Sequence, residues 1–252
     1  LPRRVPATRL PFLIGTVDFE DLPPGVTRYP KMYNSAFLID TTGSIAGKYH
    51  KAHIVPFGEF VPWGDVFPFL NRLIGMGRNL SRGESFAPVK IDGAKAGINI
   101  CFEDVFPYVS RNEVRCGADM LIVITNDAWY PESSEPTQHL ANSVFRAIEN
   151  RRPMVRCGNN SASCYILPNG MVEDTIFVSD EKDRLGNRIL QVTKRGQGIA
   201  NFGVYYTPDA PLTFYTRYGD VFVLLCWLVF GGAALCAVLK WHEKKSILMS
   251  KF

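Results

Sequence analysis

Gly97-Ile98-Asn99-Ile100-Cys101-Phe102-Glu103-Asp104 is the stretch on which the fold turns. The run Ala94–Cys101 is too short for a globular helix and reads as an apolar strand that delivers a cysteine at its C-terminal end. Val105–Cys116 follows as a helix, closed by Gly117 as its C′ residue. Met120–Thr125 (MLIVIT) then reads as a second strand, buried on both faces. Strand, helix and strand in this order predict an α/β layered domain, with its chemistry at the C-terminal ends of the strands.

The flanks carry the same alternation. Pro11–Val17 reads as a strand, and Asn34–Asp40 with Ile45–His50 as a hairpin across Thr41-Thr42-Gly43-Ser44. Met154–Gly158 and Ala162–Leu167 form another pair, with Asn169-Gly170 as the next tight turn and Ile199–Val204 as the last strand. Thr137–Asn150 predicts an amphipathic helix with a stripe of Leu140, Val144 and Ile148. Pro62–Met76 is rich in aromatic and aliphatic residues but broken by Gly64 and Pro68. It reads either as a loop folded onto the core or as a lid that touches lipid or an acyl chain.

At 252 residues the chain can bury one substantial core, and its net charge of +4 is mild. That charge is not gathered into a stripe, so nucleic acid is not an expected partner. Cys101, Cys116, Cys157 and Cys164 lack C-x-x-C spacing, which speaks against a zinc or thioredoxin-like site; no metal is expected.

One segment stands apart. Val221–Leu239 (VFVLLCWLVFGGAALCAVL) carries no charge and is long enough to cross a hydrocarbon core of roughly 30 Å as a helix. Lys240, Lys244, Lys245 and Lys251 follow it, whereas Arg217 precedes it beside Asp220. The positive-inside rule therefore places residues 240–252 in the cytoplasm and the domain outside. The chain opens at Leu1 with LPRRVPATRL, which lacks the apolar region and cleavage site of a signal peptide. It reads as a piece of a longer protein whose upstream membrane helices carry the domain across.

Three segments look like parts of an active site. Lys51 and Glu59, flanking a Pro56-Phe57-Gly58 turn, can present an ammonium and a carboxylate to one cleft. Cys101 ends its strand close to a helix N-terminus, beside Glu103 and Asp104, so a reactive thiolate there requires a nearby cation. Lys51 is the natural one. Asn126 and Asp127 stand directly after a buried strand, ahead of Trp129, where a turn-holding role competes with a catalytic one.

YHKAHIVPFGEFVP (49–62), INICFED (98–104) and TNDAW (125–129), in this order, resemble the nitrilase superfamily and, within it, the apolipoprotein N-acyltransferases. Residues 146–153, NNSASCYILPNG (159–170) and FYTRYGD (214–220) ahead of the span fit the same family. The resemblance implies a nitrilase-type α-β-β-α sandwich over residues 1–210 without its N-terminal part. A connector over 211–220, a transmembrane helix over 221–239 and a tail over 240–252 follow. It implies a Glu–Lys–Cys triad in which Cys101 is the nucleophile and Lys51 the lysine. Glu59 supports them, and Phe102, Glu103, Asn126 and Trp129 line or support the site. The family's general-base glutamate belongs to a strand upstream of this chain.

The implied reaction moves an acyl chain from a phospholipid to Cys101 as a thioester, then to the amino group of a diacylglyceryl-cysteine on an apolipoprotein, without a cofactor. The implied setting is the bacterial inner membrane, with the catalytic domain on the periplasmic face. Two other readings stand beside it: a C–N hydrolase acting on an amide or nitrile, and a non-catalytic membrane fragment, since the base is absent.

Overall fold

In the computed structural model, residues 10–23, 25–26, 29–64, 66–75, 79–129, 133–176 and 203–249 are described. Strands β1 (Phe12–Phe19), β2 (Met32–Ile39) and β3 (Ile45–His50) pair antiparallel in that order. The β2–β3 turn closes where the sequence predicts. The Asp40 carboxylate accepts hydrogen bonds from the Thr42 and Ser44 amides at 2.8 and 3.0 Å, and Gly43 takes a φ of 80°.

Among the described residues the second sheet has six strands: β4 (Val89–Ile91), β5 (Ala94–Ile100), β6 (Met120–Asn126), β7 (Met154–Asn159), β8 (Ser163–Ile166) and β9 (Val172–Ile176), neighbours in chain order. Only β5–β6 and β6–β7 are parallel. Parallel neighbours need a crossover, and each has a helix: α2 (Pro107–Arg115) joins β5 to β6, and α3 (Glu135–Asn150) joins β6 to β7. Asn169-Gly170 turns the chain into β9, with the Gly170 amide donating to the Leu167 carbonyl at 2.8 Å.

Two cores set the layers. Ala36, Leu38 and Tyr49 of the small sheet meet Ala96, Ile98 and Ile100 of the large one. On the other face of the large sheet, Leu121, Val123 and Met154 pack against Val114 of α2 and Leu140 and Ala147 of α3. β6 reads in sequence as an apolar run with Leu121 and Val123 on the second core, whereas β5 turns Ala94, Ala96, Ile98 and Ile100 to the inter-sheet core and interrupts the run with Lys95 and a buried Asn99. Sheet on sheet with a helical layer is the expected α/β sandwich; among the described residues the two long helices cover the larger sheet. Most of the strand expected at Ile199–Val204 lies outside the described residues; Val204 packs on the inter-sheet core without being in a strand.

The Pro62–Met76 segment is not wholly irregular. Pro68, at the first helical position, opens a short helix, α1 (Pro68–Ile74), that buries none of its residues. Trp63, Val66, Phe67, Phe69 and Leu73 are all at least half exposed, so they do not fold onto the core. The connector contains α4 (Phe214–Tyr218). The chain divides into two compact units, 1–216 and 217–252. In the second, α5 (Val221–Met249) carries the window Val221–Trp241, with mean hydropathy 2.6 and no residue buried. That stretch is long and apolar enough to cross a membrane. The helix continues through Lys240, so the expected span and much of the expected tail share one element.

Candidate active site

Strand β5 is buried along almost its whole length and ends at Ile100. The next residue, Cys101, has a φ of 53°, in the left-handed region that costs an L-residue roughly 1–2 kcal/mol. The reversal starts a 3-10 turn over Cys101–Val105 and leaves Cys101 partly exposed at the strand end. A helix terminus a few residues on was expected to supply amide donors. Instead the turn begins at the cysteine, and α2 starts at Pro107, which has no N–H.

Lys51 leaves the end of β3 and is almost fully buried, with 1% of its surface exposed. A buried ammonium requires a partner, and Glu59 supplies one: its carboxylate accepts from Lys51 Nζ at 2.8 and 2.9 Å. The Pro56-Phe57-Gly58 turn folds Glu59 back so that its carboxylate also accepts from the Val55 amide and from Asn34 Nδ2, each at 2.8 Å. The Lys51 backbone is pinned on both sides. Its amide donates to the Asn34 carbonyl, and its carbonyl accepts from the Gly83 amide, each at 2.8 Å.

Glu103 joins the lysine segment to the cysteine turn. Fully buried, it accepts from the Ala52 and His53 amides at 2.7 and 2.8 Å and from the Ile100 amide at 2.8 Å. Tyr49 Oη donates to it at 3.1 Å. One carboxylate thus holds the amides that follow Lys51 and the amide that precedes Cys101. Burial pushes Glu103 up to about 7, against the pull of the Ile100 and His53 amides, the Lys51 charge and the Tyr49 hydroxyl. Burial and the neighbouring Glu103 also raise Glu113 well above the ordinary carboxylate range, although Asn99 Nδ2 donates to it at 2.7 Å. Burial lowers His53, reinforced by the charges of Arg82 and Lys51.

The other residues expected at the site fall in different places. The Phe102 ring lies 5.6 Å from the His139 ring and 6.1 Å from that of Phe106. Asn126 holds its turn: Oδ1 accepts from the Ala128 amide at 3.2 Å and from Asn159 Nδ2 at 3.0 Å. Trp129 is 80% exposed.

A second group of charges lies behind the cysteine turn, and of its members the sequence singled out only Asp104, as a charge beside the thiol, and Asp127, as a turn-holding or catalytic residue. Asp104, buried, accepts from His139 Nε2 at 2.6 Å, from Arg156 Nη1 at 2.9 Å and from the Ser143 hydroxyl. Asp127 accepts from His139 Nδ1 at 3.1 Å, from Arg156 Nη2 at 3.2 Å and from Thr125 Oγ1 at 2.6 Å. The expected apolar stripe of α3 is there, with Leu140 buried and Val144 packed against the same core, but it is not the whole of the buried face. That face carries His139, Ser143, Arg146 and Asn150 beside Leu140 and Ala147, while Val144 and Ile148 are only partly buried. Those polar residues go inward because carboxylates and carbonyls meet them there. Their own spacing of four, three and four was the overlooked signal.

Asp127, Glu135 and His139 present ligand atoms within 4.8 Å of one another, as a metal site would. The surroundings oppose a cation: both His139 nitrogens face carboxylates, and Arg156 already occupies Asp127. Although burial works against it, bonding to Asp104 and Asp127 pushes His139 up to about 9, so both nitrogens carry protons at neutral pH.

Residues 11–182 match the family model for carbon–nitrogen hydrolases. The chain is 37% identical over 214 residues to an apolipoprotein N-acyltransferase of Geobacter metallireducens, covering 85% of this chain and 37% of that protein. It is 35% identical over 214 residues to that of Bdellovibrio bacteriovorus, covering 81% of this chain and 36% of the relative. A solved carbon-nitrogen hydrolase from Helicobacter pylori superposes with a TM-score of 0.46 at 18% identity, over 65% of this chain and 57% of that one. The chain thus spans little more than a third of the curated relatives it matches. With its sandwich, and with a lysine, a cysteine turn and two glutamates tied together at the strand ends, the chain belongs to the carbon–nitrogen hydrolase family and is similar to its apolipoprotein N-acyltransferases.

Proposed function

We propose that this chain is the catalytic portion of an apolipoprotein N-acyltransferase, with Cys101 as acyl carrier. The observation that carries the reading is the Glu103 carboxylate, which accepts amides from both the lysine segment and the cysteine turn and so supports a shared site for Lys51 and Cys101. In the first half-reaction the Cys101 thiolate attacks the ester carbonyl of a phospholipid. Collapse of the tetrahedral intermediate breaks the ester C–O bond, and the lysophospholipid alkoxide leaves with a proton. In the second, the amine of a diacylglyceryl-cysteine attacks the thioester, the thiolate departs and the nitrogen loses its proton. Lys51 stabilises the thiolate and the oxyanion in a water-poor setting where a cation acts strongly. Glu59 holds that ammonium in place.

The remaining parts follow from the same reading. A glutamate from an upstream segment takes the thiol proton, and upstream membrane helices complete the protein. The exposed aromatic face of Trp63, Phe67 and Phe69 forms a lid at the lipid surface of the bacterial inner membrane. The domain stands on the periplasmic face in this reading, which the lysines after the span support. Confinement of enzyme, donor and acceptor to one membrane supplies their encounter.

The test is a hydroxylamine-sensitive acyl adduct, formed when the protein with its upstream segment meets phospholipid. Cys101→Ser abolishes it under this reading. An adduct that persists, or maps to Cys157, overturns the assignment, and acyl release to water in the presence of acceptor lipopeptide revives the hydrolase.

A further inference from the structure

The turn that carries Cys101 holds a strained residue, and what restrains it from behind is an ionic cluster with no part in the proton transfers above. Asp104 lies three residues after Cys101 in the same 3-10 turn. It is completely buried, and its partners come from two elements: His139 and Ser143 from α3, and Arg156 from β7. Arg146 of α3 adds a hold on the backbone, donating to the Asp104 and Val105 carbonyls at 3.2 Å each. These carbonyls end the turn.

His139 occupies the centre of this cluster. Its Nε2 meets Asp104 of the cysteine turn at 2.6 Å, and its Nδ1 meets Asp127, in the loop after β6, at 3.1 Å. Arg156 spans the same two carboxylates at 2.9 and 3.2 Å. Two buried anions therefore share two buried cations, and each cation touches both anions. The other groups facing His139 are Glu135, one turn earlier on α3 with Oε1 3.5 Å from Nδ1, and the Phe102 ring at 5.6 Å. A closed ionic square of this kind fixes geometry more than it adds stability, because the desolvation of four charges offsets most of their attraction.

We propose that His139 is a positioning residue for the nucleophile: clamped between Asp104 and Asp127, it fixes the strained Cys101 turn against the loop at the end of β6. This rests on the reading of Cys101 as the reacting group. The role requires an imidazolium, since only the doubly protonated ring donates to both carboxylates at once. A site whose reacting atom is displaced by even an ångström loses much of its rate. The relay thus acts on reactivity without touching a substrate.

The experiment reads the thiol directly. In the protein with its upstream segment, iodoacetamide labels Cys101 and, as an internal reference, the exposed Cys116 at the end of α2; peptide mass spectrometry gives the two rates in the same molecules. His139→Gln lowers the Cys101-to-Cys116 ratio at least tenfold in protein that remains folded. The His139→Gln, Asp104→Asn double variant falls no further than the single ones, because both cut the same link. A purely structural His139 lowers the unfolding temperature and leaves the ratio unchanged, and that result overturns the proposal. If His139→Gln does not fold, Ser143→Ala is read instead: it removes one hydroxyl from Asp104, and a threefold or greater fall in the ratio is expected, an unchanged ratio being the refutation. Acyl transfer is a separate measurement on the same samples. Absence of transfer in the unsubstituted protein defeats the acyltransferase reading, while the labelling ratio still decides the relay.

Discussion

Glu103→Gln separates what the buried carboxylate does for stability from what it does for the site. The side chain is fully buried, and burial places its carboxyl at about 7 against an ordinary value of 4.5. The unfolded chain therefore releases this proton near pH 4.5, while the folded protein keeps it until about pH 7. Between those limits the folded state binds more protons, so stability falls as pH rises through the window. A shift of this size corresponds to about 3 kcal/mol once Glu103 is ionised. Glutamine matches the protonated acid in shape and cannot ionise. Its NH2 group faces the Ile100 amide or those of Ala52 and His53, a cost that does not vary with pH, so relative to the unsubstituted protein the variant should gain about 3 kcal/mol between pH 5 and pH 8, or roughly 6–12 °C in melting temperature for a domain of this size.

Thermal unfolding of both proteins at the two pH values, in the same detergent, measures the effect. Acyl-adduct formation should fall at least tenfold in the same variant, because the amides after Lys51 and the amide before Cys101 lose their shared anion. Such a residue stabilises function at the expense of fold, as functional sites commonly do. A stability difference between variant and unsubstituted protein that stays constant, or falls, from pH 5 to pH 8 would refute the reasoning. It would mean that three amides and a tyrosine hydroxyl offset or outweigh burial and hold the carboxylate at or below its ordinary value.

Other substitutions test separate parts of the structure. Lys51→Met leaves the Glu59 carboxylate with only Asn34 and the Val55 amide, and should cost about 3–5 kcal/mol in urea unfolding as well as the adduct. Gly97→Ala puts a Cβ 2.8 Å from the Glu113 side chain, so it should destabilise by about 1–3 kcal/mol with no change in the identity of the labelled cysteine. Trp129→Ala, at a position 80% exposed, should move stability by no more than about 0.5 kcal/mol; a fall in turnover of phospholipid at unchanged melting temperature identifies it as a substrate contact. Phe67→Ser with Phe69→Ser should likewise spare the melting temperature but weaken flotation with phospholipid vesicles, and a large stability loss would return both rings to the core.

What the sequence determined by itself was whatever depends on neighbours along the chain. The strands β5 and β6, the hairpin across Asp40–Ser44, the Asn169-Gly170 turn and the uncharged stretch from Val221 follow from local period and turn chemistry, and each stands where its residues point. Lys51, Glu59, Cys101 and Glu103 were also legible, through motif resemblance and position at strand ends. The partnerships among them were not. That Glu103 bridges 51 and 50 residues back to the Ala52 and His53 amides depends on how two sheets pack, which no local pattern encodes. The α3 helix shows the same limit most clearly. Its apolar stripe suggested one buried face, yet His139, Ser143 and Arg146 go inward because Asp104 meets them there from 35 to 42 residues away. A polar residue is buried only where a partner waits, and the location of that partner is a property of the tertiary structure alone.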